Sequence, residues 1–163
     1  MDTRIKISSL PLREAVADAL YRCVLGLDCN DWDMFRSSLA EGEDISMELK
    51  GSISIKGPDQ IKQFIFDFIG PLDTTHHISN IRVDVKDGDD TATLSANAVA
   101  QHYREGEGPD PTTAHLMTGS IYVLDLVKDG KDDLWKIKKW SAKIVWRDGD
   151  RSIIDRGLSA AQN

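Results

Sequence analysis

The sequence predicts an α+β fold: about three N-terminal helices packed on a long, curled, mixed or antiparallel sheet, with a blind pocket between them. Three observations lead there. Apolar residues recur at helical intervals as far as Gly70-Pro71. Beyond that point the period changes to two and persists through four long segments. Helices followed by a run of strands is the order of an α+β domain.

Pro11 opens the first predicted helix, with Ser8 and Ser9 as candidate caps. Val16, Ala19, Leu20, Cys23, Val24 and Leu27 then form one apolar face that ends near Asp28. A second short helix is expected after Asn30 as cap, with Trp32, Phe35 and Leu39 on its apolar side. Residues 43–49 and 52–56 fit a hairpin around Lys50-Gly51. Gly57-Pro58 starts a third helix with the stripe Ile61, Phe64, Ile65 and Phe68, closed by Gly70-Pro71. Strands fit 76–86, 90–104, 115–128 and 134–147. These exceed the usual five or six residues, so the sheet must curl. Ile121 and Val123 alternate with Tyr122 and Leu124, which makes that strand apolar on both faces. Helices cover one face, and a second subunit is the economical cover for the other, so a homodimer through the open face is expected.

With 163 residues the chain suits one domain, expected over 10–150 between an N-terminal tail (1–9) and a C-terminal tail or pocket cover (151–163). A net charge of -7 argues against nucleic acid as partner. No apolar run approaches the roughly 20 residues of a membrane span, and MDTRIKISSLPL carries no signal-peptide core. Cys23 and Cys29 make a poor disulfide framework, which points to a reducing, cytoplasmic setting.

The candidate chemistry lies in histidines and one carboxylate. Along the second long strand Ala92, Leu94, Ala96, Ala98, Ala100 and His102 share a face. Small side chains leave space, so an imidazole at the end of that row faces a cavity. On the preceding strand His77 goes with Ile81, Val83 and Val85, and His76 with Ile78 and Asn80, which makes His77 the inward candidate. Asp28, at the end of an apolar helical face, can orient an inward histidine and raise its basicity. The spacings do not suit a metal site, and no phosphate-cradling glycine loop or nucleophile elbow is present, so no cofactor is expected.

Leu27-Asp28-Cys29-Asn30-Asp31-Trp32-Asp33 resembles scytalone dehydratase and its SnoaL-like relatives of the nuclear-transport-factor-2-like superfamily. Thr75-His76-His77-Ile78-Ser79-Asn80 resembles that family's histidine-containing strand start, with His77 at the histidine position. Ala98 to Tyr103 resembles the next strand, and Gly130 to Arg147 the last hairpin and strand, so that the likeness spans about residues 10–150. The resemblance implies a cone-shaped fold and a cofactor-free dyad, Asp28 orienting and either His102 or His77 acting as base. It implies isomerisation, elimination or cyclisation of a carbonyl-containing, apolar natural product such as a polyketide, xanthone precursor or meroterpenoid. Tyr21, Trp32, Met47 and Phe64 are the expected substrate contacts from the first half of the chain. Phe68, also in the first half, and Tyr103, Tyr122 and Trp140, in the second, complete the set. The chain departs from scytalone dehydratase where that enzyme has two tyrosines, here Leu27 and Met47, and where its serine and asparagine fall near Gly119 and Ile121. Scytalone itself is therefore not the expected substrate.

A non-catalytic binding or dimerisation module on the same scaffold is the competing reading. It requires a plugged pocket or histidines fully satisfied by structural partners.

Overall fold

The computed structural model describes residues 9–51 and 53–154. Helix α1 spans Leu12–Asp28 and buries Val16, Ala19, Leu20, Cys23, Val24 and Leu27, the face expected from the spacing. Pro11 stands one position earlier than expected, as the N-cap with extended backbone (φ -55, ψ 152), and no side chain caps the helix. Ser8 lies outside the described residues. Helix α2 (Trp32–Ser37) is capped by Asp31, whose carboxylate accepts from the Met34 N–H, and not by Asn30. Asn30 instead takes a left-handed conformation (φ 50), which asparagine tolerates, in the turn between the two helices.

Strands β1 (Ser46–Leu49) and β2 (Ile53–Lys56) form the expected hairpin. A continuous helical stretch follows: α3 (Pro58–Ile61), a π-helical turn over Lys62–Phe66, and α4 (Asp67–Ile69). The expected stripe holds, with Ile61 buried and Phe64, Ile65 and Phe68 on the internal cavity, and the wider π turn brings one more residue inward. It turns Phe66 onto Trp32 and Phe35, with ring centroids 5.1 and 5.3 Å away.

Four long strands complete the chain: β3 (Asp73–Asp84), β4 (Thr91–Tyr103), β5 (Leu116–Lys128) and β6 (Trp135–Gly149). The six strands run in the order β2-β1-β6-β5-β4-β3. All neighbours are antiparallel except β1 and β6, where the hairpin returns alongside the last strand. The even-numbered row of β4, from Ala92 to His102, is buried throughout, as alternation requires. One core holds α1, α2 and the inner sheet face, with Leu20, Phe35, Ile61, Leu94, Leu124, Trp135 and Ile137 fully enclosed. A smaller cluster joins Leu116 to Ile153 and Ile154, so the chain after β6 folds back over the end of the sheet. The rest of the expected pocket cover lies outside the described residues.

The outer sheet face is open, with Ile121, Val123, Val145 and Trp146 each 41% to 57% exposed. Trp146 lies across Gly119, where a Cβ would meet its indole at 2.1 Å.

Candidate active site

Asp28 is the last residue of α1, where the helix dipole disfavours a carboxylate, so its charge needs local donors. Three arrive from the start of β3. Thr74 Oγ1–H donates to Oδ1 (2.6 Å), the His76 backbone N–H donates to Oδ2 (2.8 Å), and His76 Nδ1 lies 2.6 Å from Oδ1. Burial raises the Asp28 carboxyl, but the bonds and charge of His76 and the Thr74 bond outweigh it and hold the group below the usual carboxylate range. An ionised carboxylate only accepts, so Nδ1 carries a proton, and in the neutral ring Nε2 keeps the lone pair. The two side chains are only 7% and 13% exposed, and His76 lines the internal cavity.

His76, not His77, therefore meets Asp28. His77 is exposed on the outer side of β3. The reason is a bulge: the β3–β4 register shifts between Ser79 and Arg82, around Asn80 in a left-handed conformation (φ 53). One extra residue exchanges the faces. Val83 is inward beyond the bulge, whereas His76 and Ile78, opposite inward Ala100 and Ala98, are inward before it. Carrying the Val83 parity back to His77 crosses the bulge and gives the wrong histidine.

His102 does reach the cavity, but bonds the Leu116 carbonyl through Nδ1 (3.3 Å) and makes no hydrogen bond to Asp28. Neither histidine selected from the sequence thus pairs with the aspartate. Burial, with the charge of His76 adding to it, pushes His102 down to about 4, so the ring is neutral at pH 7. A carbonyl only accepts, so Nδ1 is the protonated nitrogen of His102 and Nε2 is an acceptor. Its ring stands edge-on to His76, centroids 5.7 Å apart.

The cavity, about 170 Å³, is mainly apolar. Leu27 lines it beside the expected Met47, Phe64, Phe68, Tyr122 and Trp140. The other expected contacts do not. Tyr21 is exposed on α1, and Trp32 packs on Phe35 and Phe66. Tyr103 accepts from Gln101 Nε2 (2.7 Å) and rests near His115, away from the cavity. Thr118 and Ser120 also line the cavity, and sequence reasoning missed them by looking at Gly119 and Ile121, on the other face. Pairing gives the signal that finds them, since they stand opposite inward Ala100 and Ala98. Burial pushes the Tyr122 hydroxyl well above its ordinary value. Trp140 Nε1 is buried without a hydrogen-bond partner among the described residues, a deficit that ordinarily costs about 1–3 kcal/mol. Cys23 is also buried, its thiol pushed up to about 12, and acts as a small core side chain.

Residues 8–141 match the SnoaL-like domain family. The terrestric acid biosynthesis cluster protein E of Penicillium crustosum is 40% identical over 144 residues, 88% of this chain and 90% of that protein. Among solved structures, a scytalone-dehydratase-like protein from Novosphingobium aromaticivorans superposes with a TM-score of 0.70 at 21% identity, covering 85% of this chain and 87% of its own. A LinA-type hexachlorocyclohexane dehydrochlorinase from Novosphingobium barchaimii gives 0.65 at 17%, covering 85% and 90%. Both likenesses are of fold. The match over most of the chain, on an α+β cone with an unclosed mixed sheet, places this protein in the SnoaL-like family.

Proposed function

We propose that the protein is a cofactor-independent acid–base enzyme, a lyase or isomerase, that removes a proton next to a carbonyl in a fungal-type secondary metabolite. The observation that carries this is the Asp28–His76 pair: an ionised carboxylate fixes Nδ1–H and leaves Nε2 on a ring that lines an unfilled apolar cavity. His76 is the base. Asp28 is the orienting group, and its charge stabilises the imidazolium formed when Nε2 takes the proton. His102, neutral beside it, accepts a hydrogen bond from a substrate hydroxyl through Nε2 and so helps to position the substrate. The apolar walls suit a polyketide, xanthone-type or meroterpenoid intermediate. The kinship with a biosynthetic-cluster protein supports a biosynthetic intermediate as substrate. A purely binding module is less well supported, because the cavity is not plugged and His76 Nε2 has no structural partner among the described residues.

The exposed apolar strip Ile121, Val123, Val145 and Trp146 is the surface through which two copies associate in this reading.

Turnover of a cyclic polyketide ketone panel is the test. His76→Ala and Asp28→Asn are each expected to lower kcat/KM about 100-fold or more, the size of a general-base contribution, with His77→Ala near wild type. Wild-type rates in both cavity variants, or loss in His77→Ala alone, would overturn the assignment.

A further inference from the structure

We infer that the Trp140 indole N–H is the docking point for a neutral acceptor oxygen, a ketone, ester or lactone carbonyl, at the end of the substrate remote from His76. Trp140 is 8% exposed and lines the cavity, yet Nε1 makes no hydrogen bond among the described residues. Indole N–H is a donor only, and buried donors are ordinarily paired, so this one is matched to something the cavity receives. The ring is held in place: it sits edge-on to Tyr122, centroids 4.8 Å apart at 76°, on a strand paired with Met47 and Leu124. A donor held this way costs little further ordering when a ligand binds.

Its place in the sheet gives the specificity. Trp140 is on β6 and His76 on β3, three strands apart in the order β6-β5-β4-β3. That is about 14 Å across the strands, and the register, which brings His76 level with Ala100, Thr118 and Arg147, sets Trp140 further along β6 as well. Between them the floor carries Ala100, Thr118, Ser120 and Tyr122. The substrate therefore has an apolar body, an acceptor at one end and the acidic C–H at the other. Glu48 also lines the cavity, which disfavours a carboxylate as the acceptor. The assignment of ends rests on the Asp28–His76 reading; the donor role of Trp140 does not.

The test uses three probes of one ring system: 1-tetralone, tetralin, and 1,2,3,4-tetrahydro-1-naphthoic acid as its carboxylate. They are titrated into the ¹⁵N-labelled full chain, with the four indole N–H resonances assigned sequentially. Tetralone is expected to bind at least tenfold more tightly than tetralin or the carboxylate and to move the Trp140 indole resonance, which tetralin leaves in place. Trp140→Phe, which keeps an aromatic ring and removes the donor, is expected to bring tetralone and tetralin within about twofold of each other. His76→Ala is expected to keep the tetralone preference while losing turnover. Equal binding of tetralone and tetralin, no tetralone binding, a shift confined to another indole, or a preference surviving in Trp140→Phe would each overturn the proposal. The resonance shift decides the matter even where the Phe variant folds poorly. Intact turnover in His76→Ala would sink the base assignment and leave the Trp140 anchor standing.

Discussion

At the scale of single residues, two imidazoles in one cavity have been given different tasks by their neighbours. His76 is tied to an ionised carboxylate, and His102 only to a backbone carbonyl. The depressed His102 value has a consequence for stability. Unfolded, the ring titrates near 6.5; folded, near 4, so the unfolded chain binds the extra proton between those values. Stability is complete above about pH 6.5 and falls as the pH drops toward 4, by about 3 kcal/mol. Asp28 acts lower: its depressed carboxyl contributes above its unfolded value, and this is lost only as the pH falls through its folded value. Urea unfolding between pH 7 and 4 is expected to show this acid slope in the wild type and a much flatter one in His102→Asn. Equal slopes would mean that the ring is not held neutral. Asp28, His102 and the small-residue row leading to it were legible in the sequence, because β4 alternates without interruption. The partner histidine was not, because the face exchange depends on one bulge at Asn80 that no local pattern announces. The inward hydroxyls of Thr118 and Ser120 needed the pairing register, which lies between strands and not within one.

Among elements, α1 was readable almost to the residue, since a long apolar stripe leaves little freedom in where a helix begins and ends. The third helical stretch was readable in extent and in its inward stripe, but Phe66 was not, because the π turn inserts a residue into the period and brings it into the α2 contact. The α1–α2 corner holds Asp28 in place, and its closeness depends on Gly26. A Cβ there would stand 2.6 Å from the Phe35 backbone nitrogen and 2.7 Å from its Cα. Backbone cannot swing aside as a side chain can, so the helices must part. Gly26→Ala is expected to destabilise the fold by about 1–3 kcal/mol in chemical denaturation. An unchanged midpoint would show that the corner yields without cost. Gly119→Ala is a useful contrast, because the atoms it would meet belong to the exposed Trp146 side chain, which can turn outward.

For the whole molecule, the sheet has one face under the helices and one apolar strip uncovered, and the cavity lies between α1, the π turn and the inner strands. The dimer proposed through the outer face is expected to appear as twice the chain mass in light scattering, with Ile121→Glu and Val123→Glu together giving a monomer. A monomeric wild type at micromolar concentration would remove that reading without touching the cavity. The cavity's own chemistry is most directly tested by proton exchange in D₂O, which registers abstraction even where no product accumulates. With a ketone that the protein binds, wild type and His77→Ala are expected to exchange the α-proton at comparable rates, and His76→Ala and Asp28→Asn at least about 100-fold more slowly. Exchange at the wild-type rate in His76→Ala would contradict the assignment of His76 as the base.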